Sequence, residues 1–320
     1  MSDVMILLTP FLILLILEVF RFTGCTAFTD APEPASTKQP GPPLVIAPPD
    51  PPPAKPAAEA YEELIKATSG FAAMWPLNEA GGNVANVVGP LNPGANGLYL
   101  SPGAPAGTGY SVGQNGVLFS KDTKDFAPEF TGTVAYIEVQ FNGPLNPDKA
   151  VSAFSIELWA KPNPGAGGTT QVLISSHRFD SAGVQQGYEI ALIKNAAQPN
   201  QQIRGRVFAN GLMTETLVTP LQGNADEWRH IVLTYEQSAT VGPLVTLQAR
   251  LAKSANPFKD GPHSAKYEAV VSTKPSTLRF GAGHAAGQTA ADFFAGRIDN
   301  VAFYNALLVQ ADIDKHFAAF

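Results

Sequence analysis

From residue 58 onward the chain is built of short runs in which apolar and polar residues alternate, cut by Gly, Pro and Asn. The clearest runs fall at 71–77, 134–141, 154–161, 172–179, 188–194, 203–209, 228–236, 245–251, 278–281 and 297–304. Period-two alternation sends successive side chains to opposite faces, so each run predicts a strand with one buried side. In "FSIELWA", Phe154, Ile156, Leu158 and Ala160 share one face, and Ser155, Glu157 and Trp159 share the other. The first set is expected between two packed sheets. Helical spacing is found at 57–68, where Tyr61, Leu64 and Ile65 form a stripe, and in the C-terminal "LLVQADIDKHFAAF". That last helix is expected to cover an edge or end of the fold with Leu307, Leu308, Ile313 and Phe317. Segments 89–116, 195–202 and 253–268 read as long loops. Many turn-punctuated strands without intervening helices predict an all-β fold, an antiparallel two-sheet sandwich with short flanking helices.

Upstream of residue 58 the pattern differs. Residues 4–17 are almost wholly apolar, broken by Thr9 and Pro10, before Glu18 and Arg21 intervene. Two readings of residues 1–25 stand side by side. One is a lipoprotein-type signal in which Phe22-Thr23-Gly24-Cys25 is the lipobox and the Cys25 thiol carries the lipid. Against that pattern stand Asp3, the lack of Lys or Arg before the apolar run, Arg21 and Phe22. The other reading is an uncleaved anchor helix, at the short end of what spans a bilayer. Both readings expect a membrane-tethered, extracytoplasmic protein. Residues 26–57 are a proline-rich linker, with "APEPASTKQPGPPLVIAPPDPPPAKPA" at 31–57. Proline fixes φ and removes the backbone donor, which favours extended polyproline II. At ~3.1 Å per residue this spacer reaches up to about 80 Å.

Composition narrows the function. A chain of 320 residues, 45% of them hydrophobic, can bury one large core beside these appended segments. A net charge of −6 without any basic run excludes nucleic acid as a partner. The single cysteine excludes an intrachain disulfide and a cysteine-based metal cluster.

Four stretches in order then carry a likeness: "YEELIKATSGFAAMWPLNEAGGNVANVVG", "AFSIELWAKPN" (153–163), "DEWRHIVLTYE" (226–236) and "FFAGRIDNVAFYNALLVQADIDKHF" (293–317). Together they resemble the LamG-like, concanavalin A-like jelly-roll domains of bacterial surface proteins, and the likeness covers nearly all of 60–318. It implies a jelly roll over the 58–320 domain. It leaves the function open, because one fold hosts lectins, adhesion modules, hydrolases and spacers alike. It also implies a structural Ca²⁺ tying the start of the domain to its last strand. The matching positions are Glu79 and Asp299, with backbone carbonyls near Gly81 and Gly82. Calcium takes such mixed sets of hard oxygen ligands.

Catalytic chemistry is hard to find. His230 lies beside Arg229 on a strand face with Trp228, Val232 and Thr234, a packed position in the family it resembles. The other histidines, His177, His263, His284 and His316, show no zinc spacing. Glycosidases of this fold carry Glu-x-Asp-x-x-Glu on one strand; that spacing is absent, and Glu157 stands alone on its strand. Neither a Gly-x-Ser-x-Gly elbow nor a P-loop occurs. For sugar binding, Tyr99, Tyr110 and Asn115 are the candidate ligand residues, since lectin sites combine aromatic rings with amide hydrogen bonds. The sequence therefore predicts a non-catalytic recognition module for a glycan or a surface protein. The alternatives are an assembly protein of a surface layer, appendage or virion, and a divergent glycan hydrolase.

Overall fold

The computed structural model describes residues 54–147, 153–179, 184–195, 198–209, 212–218, 226–254, 256–267, 270 and 275–320. The signal or anchor segment, Cys25 and the linker up to residue 53 lie outside the described residues. By compactness the chain divides into Met1–Pro52 and Pro53–Phe320. Among the described residues, no helix is long and apolar enough to cross a membrane.

The second unit opens with helix α1 (Ala57–Lys66). Then come β1 (Phe71–Trp75), β2 (Val84–Ala85), β3 (Gly97–Leu100), β4 (Tyr110–Asn115), β5 (Phe126–Thr131) and β6 (Tyr136–Val139). The middle of the chain supplies β7 (Ala153–Pro162), β8 (Thr170–Ser175), β9 (Arg178–Phe179), β10 (Gln185–Asn195), β11 (Gln198–Ala209) and β12 (Leu212–Val218). It closes with β13 (Arg229–Ser238), β14 (Gly242–Leu251), β15 (Phe258–Ser264), β16 (Leu278–Phe280), β17 (Gly283–His284), β18 (Ala290–Ala291), β19 (Ala295–Tyr304) and helix α2 (Gln310–Ala319).

Two antiparallel sheets stack as a jelly-roll sandwich. One runs β15-β14-β13-β7-β19-β5-β4, with β1 also paired to β19; the other runs β12-β11-β10-β8-β16-β6-β3-β2, with β9 on β10. Neighbours distant in sequence lie side by side, as when β7 pairs with both β13 and β19. The alternation seen in the sequence sets the layers. Phe154, Ile156 and Leu158 of β7, Ile231 and Leu233 of β13, and Ile298 and Phe303 of β19 meet Leu173, Tyr188, Ile190, Ile203 and Phe280 of the other sheet in one core.

Three sequence expectations need correction. Segment 253–268 is not a plain loop, because β15 runs through it; 195–202 is mostly strand, and 89–116 contains β3 and β4. The run 172–179 is broken after Ser175 into β8 and β9. Helix α2 covers a face rather than an edge or end. It lies on the outer side of the first sheet, where Ile313 and Leu308 join Tyr61, Ile65, Trp159, Val232 and Tyr304 in a second apolar cluster, with Phe317 packed against it.

Candidate functional site

The outer face of the first sheet holds a group that resembles a catalytic constellation. Glu157 of β7 is fully buried, and its carboxylate accepts three side chains at once. His230 Nε2 of β13 stands 2.5 Å from Oε1, the Tyr304 hydroxyl of β19 donates to Oε2 at 2.8 Å, and His316 Nδ1 of α2 donates to Oε2 at 2.9 Å. The far nitrogen of His316 meets Thr68 Oγ1 at 2.8 Å, at the end of α1. Burial pushes the carboxyl of Glu157 upward, but the hydrogen bonds from the two histidines outweigh it and hold the group well below the usual carboxylate range. An acid–base pair must reach a substrate. His230 is 1% exposed and Glu157 0%, so this group packs the helices against the sheet with no open side. Glu157 is alone on its strand in sequence, yet its partners sit 73 and 159 residues away.

A different polar group underlies the loop after β4. Three successive backbone N–H groups are captured there: Gly116 by the Asp125 carbonyl (3.0 Å), Val117 by Asp299 Oδ2 (2.8 Å) and Leu118 by Asp125 Oδ2 (2.6 Å). A β-bulge between Asp299 and Ala302, with Asn300 at φ +49°, re-aims Asp299 toward this loop. Only glycine fits at 116, since an ideal Cβ there would meet Asp125 Oδ2 at 2.3 Å and Asp299 Oδ2 at 2.8 Å. The two carboxylate oxygens therefore face each other within about 5 Å. Burial, and then the charge of Asp125, push Asp299 well above its ordinary range, against the N–H bonds from Val117 and Asn300. Burial pushes Asp125 up to about 6, against the Leu118 bond, with Asp122 adding to the rise. Asp299 Oδ1 is buried without a hydrogen-bond partner. Two hard oxygen donors and one orphaned oxygen suit a cation of the calcium type. Among the described residues, however, no group of three acidic, His or Cys side chains is placed to hold a metal ion, so backbone carbonyls would have to complete a shell.

The other expected site residues lie close by but do other things. Glu79 Oε1 accepts from the Asn86 N–H at 2.7 Å, and its Oε2 accepts from the Tyr99 hydroxyl at 3.2 Å. Tyr99 stacks on Tyr110, with ring centroids 5.0 Å apart, and is buried, so it offers no open platform. Asn115 is exposed, and its carbonyl accepts from Arg297 at 3.2 Å.

Asn115 is also where a cleft begins. It has a volume of about 420 Å³, and residues 115–117, 119 and 120 form one wall. Three aromatic rings line it: Phe119, Trp228 and Phe320. Lys161, Lys253, Asp226 and Glu227 add charge of both signs around them. Trp228 is partly buried just before β13, packed against the second apolar cluster and lining this cleft. The sequence marked Asn115, but Trp228 read as a packed strand residue because alternation cannot tell which face a covering element leaves free.

Comparison with known proteins fits this architecture. A family model, Laminin_G_3, described as the concanavalin A-like lectin/glucanases superfamily, matches residues 131–314. No curated protein matches the chain. Among solved structures, it is similar to domain 4 of AbnA, a GH43 extracellular arabinanase from Geobacillus stearothermophilus in complex with arabinotriose. The identity is 13%, the TM-score 0.46, and 78% of this chain and 98% of that one are covered. The botulinum neurotoxin serotype D/C VPI 5993 binding domain gives 12% identity, TM-score 0.49 and coverage of 78% and 52%, so the chain spans about half of that protein. Ruminococcus gnavus IT-sialidase CBM40 gives 10% identity, TM-score 0.39 and coverage of 57% and 91%.

Proposed function

Since this chain belongs to the concanavalin A-like lectin/glucanases superfamily, we propose that its sandwich is a non-catalytic recognition module that binds a glycan in the Trp228 cleft. The cleft itself carries the reading. Sugars offer an apolar ring face and a rim of hydroxyls, and they are held by aromatic side chains with a few polar groups around them. Phe119, Trp228 and Phe320 supply the first, while Asn115, Asp226, Glu227 and the two lysines supply the second. The cleft volume of about 420 Å³ falls within the range of small-ligand sites.

Carboxylates elsewhere support a non-catalytic role. On the outer face of the second sheet, register aligns Glu138, Arg279, Ser175, Glu189, Arg206 and Glu215 across neighbouring strands. Each glutamate in that row is held by arginine: Glu138 by Arg279 (3.1 Å), Glu189 by Arg204 (3.3 Å) and Glu215 by Arg206 (2.6 Å). A glycosidase needs one carboxyl free to give up a proton and another free to attack or to activate water.

The test is a glycan array on the full chain, followed by titration of the best ligand. Trp228→Ala should weaken binding by about 2 kcal/mol, roughly thirtyfold, as expected for an aromatic anchor at the centre of a contact. Its circular dichroism should stay that of the parent. Equal affinity in the variant would remove the cleft from the reading, and an array without any binder would favour a protein partner.

The same reading places the module outside the cell membrane, held by residues 1–25 and spaced by the proline-rich linker. Mass spectrometry of the mature N-terminus should find a lipid-modified Cys25. An intact Met1 would instead leave the uncleaved anchor as the tether.

A further inference from the structure

The charges around the Trp228 cleft are not equivalent. Register places the tryptophan between two cationic arms. β13 pairs Arg229 with Ala160 of β7 and with Leu251 of β14. One residue earlier, Trp228 therefore lies between Lys161 on one side and Ala252 on the other, and the Ala252 N–H donates to its carbonyl at 2.9 Å. Lys161 and Lys253 thus flank the tryptophan, and both line the cleft.

Both acids of the cleft answer a cation of the protein itself. Arg229 is 2% exposed, and its Nη1 donates to the Glu227 carbonyl at 3.4 Å. Burial lowers the guanidinium to about 10, against the charges of Glu227 and then Asp226. A buried cation needs opposite charge close by, and these two carboxylates supply it. Glu227 is engaged further, since its Oε1 accepts the Lys253 backbone N–H at 3.0 Å. Glu129, whose carboxyl also feels Lys161, is already held by Arg297 and by Asn163, each at 2.9 Å. Lys161 and Lys253, by contrast, form no ion pair with any described residue. A third cation, the Lys121 ammonium, stands 5.7 Å from the centre of the Phe320 ring, another wall of the cleft. On a chain of net charge −6, the cleft keeps a local surplus of positive charge.

We propose, resting on the glycan reading of this cleft, that its ligand is acidic: a sugar whose carboxylate or sulfate stands beside the ring stacked on Trp228. The apolar ring face would lie on the indole, and the anionic group would reach Lys161 and Lys253. Lysine ammoniums are point charges on flexible stems, with rotatable donors, which suits either anion. Exposed pairs of this kind are weak one by one, and two together set a preference of about tenfold.

A glycan array on the full chain that carries matched forms of each oligosaccharide tests this. Each set holds a uronate-containing oligosaccharide, its carboxyl-reduced neutral form, and that neutral form bearing a sulfate ester. At least one acidic form should bind about tenfold tighter than its neutral form, and the uronate and sulfate arms tell which anion the lysines take. Raising sodium chloride from about 50 to about 500 mM should erase most of that preference. Lys161→Gln combined with Lys253→Gln should bring the acidic form down to the affinity of its neutral counterpart, a loss of about tenfold. Trp228→Ala should weaken both forms. Neutral forms that bind as tightly as acidic ones would overturn the acidic ligand and leave the cleft reading standing. So would an acid preference that survives the double substitution in a variant folded by circular dichroism. An array without any binder would remove both.

Discussion

Replacing Glu157 with alanine will destabilise the sandwich by about 3–5 kcal/mol, the usual result of deleting one member of a buried charged group. The carboxylate joins β13, β19 and α2, through His230, Tyr304 and His316. Alanine would take the shared acceptor from those three side chains where exposure is 0–1%, leaving His316 only its contact with Thr68. Unsatisfied polar groups at such sites lose their hydration without compensation. Glu157→Gln keeps the shape and one acceptor oxygen, so its loss should be smaller. Helix α2 has other ties, since Arg250 reaches Asp314 at 2.5 Å and stacks on Phe317, so the alanine variant should loosen the helices before the core sheets. Urea unfolding followed by tryptophan fluorescence reads this, because Trp159 lies under the helices and its indole N–H donates to the Tyr61 hydroxyl of α1 at 3.1 Å. An unchanged midpoint would mean that the buried network does not hold the helices down. The pH sign is fixed by the depressed carboxyl. Its contribution is present above the unfolded glutamate value of about 4.3 and is lost as pH falls below that toward the folded value.

How far the sequence could lead follows from what each residue's environment demands. Strands between the sheets were legible because β7, β13 and β19 must alternate to bury one face, as Phe154, Ile156 and Leu158 do. β15 was not, since "FKDGPHS" forms an edge strand on which only one side needs a partner, and it carries Gly261 and Pro262. The placement of α2 was missed for a related reason. His316 counts as polar in a helical pattern but is fully buried against Glu157, so the buried stripe looked too narrow to cover a sheet face. Asp299 could be found because the resemblance pointed to its position. Asp125 could not, as "KDTKDF" looks like a solvated turn until the fold brings it within reach of Gly116. Likewise Trp228 belongs to a strand-like run, and only the folded chain shows that it lines a cleft.

In EDTA, the melting temperature of the full chain should fall as pH rises from about 4 through about 6, opposite in sign to the Glu157 contribution. Asp125 and Asp299 share a dry site beneath Gly116, each raised first by burial, and Asp299 further by the charge of Asp125. An unfolded aspartate ionises near 3.9. Between that value and the folded value of about 6 for Asp125, the native pair keeps a proton that the unfolded chain has lost, so stability drops with rising pH. A shift of that size corresponds to at most about 3 kcal/mol. Calcium bound by Asp125 and Asp299 would replace the missing positive charge, so added calcium should raise the melting temperature near pH 7 and do little near pH 4. Asp125→Asn retains an acceptor for the Leu118 N–H but removes a charge, and it should flatten the pH profile and weaken the calcium response together. A melting temperature level from pH 4 to 7 in EDTA would contradict the strained pair, and identical melting with and without calcium would exclude the ion. The carboxylates hold the N–H groups of Val117 and Leu118, and Val117 forms part of the Trp228 cleft wall. Glycan affinity that rises with calcium near neutral pH, and loses that dependence in the asparagine variant, would therefore make the pair a support of the binding site as well as a link between β19 and the loop after β4.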